Sequence, residues 1–106
     1  MSASNSLTKA VIALLNLKGY KVWRQNNNAV YDQKKGVFRH GGVLRGVPDV
    51  IGFHRKTGLF ICVEVKTGKD KLSSFQTEFL NEAVAAGCTA VVVRSSDDLM
   101  ILNAKL

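Results

Sequence analysis

The nonapeptide FICVEVKTG, residues 60–68, decides how the rest of the chain is read. Phe60 to Val65 has the apolar density of a strand covered on both faces. Glu64 and Lys66 nevertheless fall in its second half, two residues apart. Side chains alternate along a strand, so these two point to the same side of the sheet. A core strand that ends in a carboxylate and an ammonium on one face needs a reason.

The segment just upstream supplies one. DVIGFH (49–54) is a second strand pattern, joined to LFICVEVK (59–66) by RKTG. If Arg55–Gly58 is a four-residue hairpin loop, positions that sum to 113 are partners: Phe53 faces Phe60, Ile51 faces Cys62 and Asp49 faces Glu64. A one-residue slip would send the two carboxylates to opposite faces. Directly opposed residues have Cβ atoms about 5 Å apart, where like charges destabilise a sheet. A bridging cation or a shared proton resolves that conflict. Two close carboxylates with open positions suit Mg²⁺ or Mn²⁺. Lys66 follows on the same face, where it can orient a water or steady a phosphate oxygen while the metal activates that water. Singly, each residue has a blander reading: E-x-K as a surface salt bridge, Asp49 after Pro48 as a turn residue. Register, shared face, apolar flanks and basic surroundings converge, and together they favour catalysis.

Outward from this hairpin, helical spacing of Leu7, Ala10, Val11, Leu14 and Leu15 predicts a helix from about Ser6 to Lys18. Ser4 or Ser6 can cap its start and Gly19 suits its end. YKVWRQ (20–25) alternates as a strand. Residues 26–47 hold four glycines, with a short hairpin from AVYD to GVF and a basic loop around it. A helix over Ser73–Ala86 with Phe75, Phe79, Leu80 and Ala83 on its stripe, a buried strand TAVVVR (89–94) and a terminal helix SDDLMILNAK complete the chain. The order α-β-(ββ)-β-β-α-β-α predicts an α/β fold, a mixed sheet with helices on both faces. Strands 59–66 and 89–94 flank a crossover helix and should run parallel.

Composition bounds the possibilities. The chain has 106 residues, 46% of them hydrophobic, and one Pro, which fits a single globular domain over 1–106. No apolar run approaches the roughly 18 residues of a membrane span. MSASNSLTKAV lacks the order of a signal peptide, so a cytoplasmic protein is expected. Cys62 and Cys88, without CxxC spacing, read as reduced core thiols. The net charge of +7 is uneven: residues 18–71 carry twelve Lys or Arg against four acids, and residues 72–106 carry two against four. That asymmetry points to a polyanion, nucleic acid first.

With Pro48-Asp49 and Glu64-Val65-Lys66 in view, the chain resembles a PD-(D/E)XK nuclease. More narrowly it resembles the stand-alone phage and bacterial VRR-NUC (virus-type replication-repair nuclease) domains. AVIALLNLKGYKVWRQNN, RGVPDVIGF, EVKTG and KLSSFQTEFLNEAVAAG follow the family's order nearly end to end. The resemblance implies a restriction-endonuclease-like fold and metal-dependent phosphodiester hydrolysis in branched or structured DNA, such as four-way (Holliday) junctions. It implies Asp49 and Glu64 as Mg²⁺ or Mn²⁺ ligands, with the Val65 carbonyl completing the set, and Lys66 as the catalytic lysine. Gln76 matches a glutamine that many members keep near the site, although Ser73 and Gln76 also have the spacing of a capping box. Many members add a Glu from the first helix; this chain has no Asp or Glu before Asp32, and its helix offers Ser4, Asn5, Ser6 and Thr8. Gln25 and Asn26 are candidates for polar contacts in place of that Glu.

Phosphate contacts are expected from Arg24, Lys34, Lys35, Arg39, Arg45, Lys69 and Lys71, with little sequence readout. Paired cuts in a junction need two active sites, so a two-fold homodimer is expected. The alternative is a catalytically silent DNA-binding or assembly module on the same fold.

Overall fold

A computed structural model of the chain describes residues 2–25, 30–39 and 44–106, with the side chains of 30–32 and 38–39 outside that description. The elements run α1 (Ala3–Leu17), β1 (Tyr20–Arg24), β2 (Val30–Asp32), β3 (Val37–Arg39), β4 (Val50–His54), β5 (Phe60–Val65), α2 (Ser74–Ala85), β6 (Thr89–Val93) and α3 (Ser96–Lys105). This is the expected order.

Four strands form one mixed sheet, β1-β4-β5-β6. The β4–β5 pair is antiparallel with Phe53 opposite Phe60 and Ile51 opposite Cys62, the register that a four-residue turn dictates. Crossover through α2 makes β5 and β6 parallel. On one face α1 and α3 bury Val11, Leu15 and Leu102 against Val22, Val50, Ile61, Val63, Val65 and Val93. On the other, Leu80 and Ala83 of α2 pack on Cys62, with Ile51, Phe60 and Val92 around them. Glu64 shares the parity of Cys62 and therefore faces α2. Gly52 is required where β1 crosses β4, because a Cβ there would run into the Lys21 carbonyl.

Several boundaries differ from expectation. α1 starts at Ala3, since Ser2, not Ser4 or Ser6, accepts the Asn5 N–H and caps it. The Ser4 carbonyl instead accepts the Thr8 hydroxyl at 2.7 Å. β6 is half-buried for most of its length, because as an edge strand it pairs with β5 alone. β2 and β3 form a separate two-stranded sheet, with Asp32 opposite Val37 and residues 33–36 as its turn. Both core strands are shorter than their apolar patterns: Asp49 and Lys66 lie just beyond the ladder. No helix among the described residues is long and apolar enough to cross a membrane.

Candidate active site

The site forms where the β4–β5 ladder ends. Its last pair is Val50 and Val63; the same register carried onward sets Asp49 opposite Glu64 and Pro48 opposite Val65. Asp49 is held from two sides. Its carbonyl accepts the Gln25 N–H at 2.7 Å, which continues the pairing with β1. Its Oδ2 accepts the Val65 N–H at 2.8 Å, so a side chain takes over where main-chain pairing stops.

Pro48 accounts for the change. The His54 N–H donates to the Leu59 carbonyl at 2.9 Å, which sets odd-numbered residues of β5 toward β4. The Lys66 N–H goes the other way, to the Val93 carbonyl at 3.1 Å. A strand residue points its N–H and C=O to the same edge. The ladder donor for the Val65 carbonyl would therefore be the N–H of residue 48, and proline has none. The carbonyl is left facing the Asp49 side without that donor.

Glu64 is 2% exposed, one of two buried polar residues among those described. Its Oε1 accepts Gln76 Nε2 at 3.4 Å. Its Oε2 is buried and meets no donor. Burial, then the hydrogen bond and charge of Asp49, push the Glu64 carboxyl up to about 8, with Lys66 pulling the other way. Without a cation Glu64 keeps its proton below that value and donates it toward Asp49. The same environment, burial foremost, raises the Cys62 thiol to about 11, so Cys62 is an inert neutral core thiol.

Gln76 is oriented by the start of α2. The Ser73 N–H donates to its Oε1 at 2.8 Å, and its own N–H donates to Ser73 Oγ at 3.1 Å. With the amide oxygen held, the NH₂ group can only turn toward Glu64. The capping role and the contact with Glu64 are thus one arrangement, not competing ones.

The structure brings Asp49, Glu64, Lys66 and Gln76 together; the basic residues are more dispersed. Arg24 Nη2 donates to Asn5 Oδ1 at 2.9 Å, which uses the polar group of α1 at this end of the sheet. The Gln25 side chain accepts the Trp23 indole N–H at 3.3 Å. Arg45 lies 5.1 Å over the Phe75 ring, on a loop that rests on α2. Gly46 allows that rest: its φ is +81°, and a Cβ would strike the Phe75 carbonyl. Lys34 and Lys35 are exposed in the β2–β3 turn, and Lys69 and Lys71 in the loop before α2. Asn26 and the Arg39 side chain lie outside the described residues. Sequence patterning passes over Arg94, whose Nη1 donates to the Asp70 carbonyl at 2.7 Å and ties the lysine loop to β6. Its signal is position: it follows the strand that runs parallel to β5 and ends level with Lys66.

A mixed sheet flanked by helices, with paired carboxylates at the end of a central hairpin, is compatible with the restriction-endonuclease-like class. The chain matches the model of the VRR-NUC domain over residues 7–97 of its 106, and it belongs to that family. It is accordingly a nuclease domain, a catalyst that binds nucleic acid. No curated protein matches it.

Nuclease domains of this kind generally depend on a divalent cation, and the residues fit one. Two carboxylates meet from facing strands, a buried Glu64 oxygen lacks a donor, and the Val65 carbonyl lacks its ladder partner. Among the described residues no group of three or more His, Cys, Asp or Glu gathers. The donors present, two carboxylates and a main-chain carbonyl, are hard oxygens, which a hard cation prefers.

Proposed function

We propose that this chain is an Mg²⁺- or Mn²⁺-dependent DNA endonuclease that hydrolyses phosphodiester bonds in branched DNA such as four-way junctions. One observation carries the reading: a buried carboxylate oxygen of Glu64 without a donor, beside the Asp49 carboxylate. That arrangement is costly in a structural role, because a buried polar oxygen without a donor destabilises a fold and holding the carboxyl neutral there takes up a proton.

Asp49, Glu64 and the Val65 carbonyl hold the cation. Once bound, the cation supplies a lowered water pKa and charge neutralisation at the phosphate. Gln76 donates to Glu64 and keeps that carboxylate turned toward Asp49. Lys66 offers an ammonium on the same face to orient the attacking water or steady a phosphate oxygen. Arg24, Lys34, Lys35, Arg39, Arg45, Lys69 and Lys71 neutralise backbone phosphates, giving affinity with little sequence readout. Each chain carries one such set, so paired cuts across a junction call for a homodimer. The half-exposed Val37 on the basic β2–β3 hairpin is a candidate contact in it.

The test is thermal unfolding and cleavage of labelled duplex, flap and four-way-junction DNA with Mg²⁺, Mn²⁺ or EDTA. Mn²⁺ should raise the Tm of the wild type by linkage. Glu64→Gln should lose that gain and the cleavage with it. Equal metal stabilisation of the variant would remove Glu64 from the ligand set.

A further inference from the structure

The nuclease reading explains Asp49, Glu64 and Lys66 but leaves the rest of their sheet face unused. α2 covers that face over β5 and β6, through Leu80 and Ala83. Toward β1 and β4 the same face carries two exposed aromatic rings, Trp23 and Phe53, each 42% exposed. Trp23 stands opposite Ile51, and Phe53 stands opposite Lys21. The rings are therefore diagonal neighbours on one side of the β1–β4 pair, a spacing of about 7 Å that aromatic side chains can bridge.

Two features separate this patch from ordinary exposed apolar surface. First, Trp23 is tied to the site. Its indole N–H donates to Gln25 Oε1 at 3.3 Å, and the Gln25 N–H donates to the Asp49 carbonyl at 2.7 Å. Its cross-strand partner Ile51 lies one side-chain repeat from Asp49, roughly 7 Å along β4. Secondly, its charge is one-signed. Lys21 shares the face of the rings and Arg55 and Lys56 follow in the 55–58 turn, all exposed, and β1, β4 and that turn hold no Asp or Glu. The α2 side carries Glu78 and Glu82 instead. A polyanion is drawn to the β1–β4 half, whereas α2 itself meets it with two carboxylates and no Lys or Arg.

Aromatic faces flanked by lysine and arginine stack unpaired bases without reading their sequence. From this geometry we infer that Trp23 and Phe53 form a stacking platform for unpaired nucleotides next to the cut phosphate. The strand runs from Asp49 over Trp23 and Phe53 toward Arg55 and Lys56. This deepens the nuclease reading by naming what the site prefers within branched DNA: a branch point at which bases have come unpaired, with a fully stacked duplex disfavoured because its bases are not free to stack on protein.

Trp23 is the chain's one tryptophan, so intrinsic fluorescence reads this position alone. The experiment titrates wild-type protein in EDTA with a thymidine oligonucleotide and with a blunt duplex of equal length. The oligonucleotide should quench the emission strongly and saturably, and the duplex should bind with little quenching. By anisotropy of the labelled DNAs, which needs no tryptophan, Trp23→Ala should lose about tenfold affinity for the oligonucleotide, and its duplex affinity should not change. Trp23→Phe, which keeps a ring and protects against loss of fold, should retain most of the affinity. Absence of quenching by the oligonucleotide would overturn the proposal. So would equal losses on both DNAs, or emission that follows protein concentration instead of DNA, as for a ring buried between two copies. Binding is measured without metal, so a protein that stacks bases but does not cleave would refute the nuclease reading and leave this one standing.

Discussion

The Val65 main-chain N–H donates to Asp49 Oδ2 at 2.8 Å, joining the two strand ends of the site through a side chain. Asp49 is therefore structural as well as chemical, and two substitutions separate the roles. Asp49→Asn keeps an oxygen acceptor and Asp49→Ala removes it; both delete the charge. Asp49→Ala should be less stable than Asp49→Asn by about 1–2 kcal/mol, since a part-buried N–H loses its partner. Both should lose cleavage. Urea unfolding alongside a nicking assay checks this, and equal stabilities would mean that the hydrogen bond contributes nothing.

Stability without metal should depend on pH through Glu64. Its folded carboxyl titrates near 8 against 4.5 for an ordinary one, raised by burial and then by Asp49. Between those values the native chain holds a proton that the unfolded chain has released. Linkage then makes stability fall as pH rises through the window. The contribution is fully present below about 4.5 and gone above about 8. Urea midpoints in EDTA from pH 5 to 9 should decline for the wild type and stay flatter for Glu64→Gln. A cation that displaces this proton should bind more tightly as pH rises. A wild-type midpoint that climbs through this range would contradict a buried, protonated Glu64.

Gln76→Glu isolates the contact with Glu64 from the helix cap. A capping box accepts Glu or Gln at that position, so α2 should keep its stability. The amide donor, however, becomes an oxygen facing another carboxylate. Cleavage should fall by about tenfold or more, and the optimum pH should rise. Ser73→Ala should do the converse, costing about 1 kcal/mol of stability from the lost cap. If Gln76→Glu cleaves like the wild type, Gln76 serves the helix alone.

Lys66→Ala should separate binding from chemistry. Cleavage should be abolished while junction affinity stays within a few-fold, because one positive charge among many is lost. Affinity of both proteins should fall steeply with salt, with a log–log slope of several units. A flat salt response in a filter-binding or anisotropy titration would argue against a phosphate-tracking surface.

The hairpin was legible because two local rules coincide in it. A four-residue turn over Arg55–Gly58 leaves one register, and apolar alternation in β4 and β5 forbids a slip. Asp49 opposite Glu64 follows from counting, and the crossover through α2 from handedness. The first helix was harder, since Ser2, Ser4 and Ser6 are all competent caps and only the backbone decides among them. Contacts between distant segments left no periodic trace. Arg94 reaching Asp70 spans 24 residues, and Asn5 reaching Arg24 spans 19. The pairing of Gln25 with Asp49 depends on where β1 lies in the sheet, which the β1 sequence does not encode.

Pro48 offers the sharpest test of the metal site, since it acts by what it lacks. Register sets it opposite Val65, and the residue there would ordinarily donate its N–H to the Val65 carbonyl. Proline has no N–H, which leaves that oxygen turned to the Asp49 side for a cation. Pro48→Ala returns the donor without touching a carboxylate. The ladder should then close by one more hydrogen bond, and the carbonyl should become a poorer ligand. Mn²⁺ affinity, read by calorimetry or by the metal-dependent rise in Tm, should weaken several-fold. Metal-free stability should fall by about 1–2 kcal/mol, because truncating a fully buried ring and freeing the unfolded chain together outweigh the added hydrogen bond. A control with Val47→Ala, which alters the same loop but no N–H, should bind Mn²⁺ like the wild type. If Pro48→Ala also binds Mn²⁺ with wild-type affinity, the Val65 carbonyl is not a ligand, and Asp49 and Glu64 hold the cation with water alone.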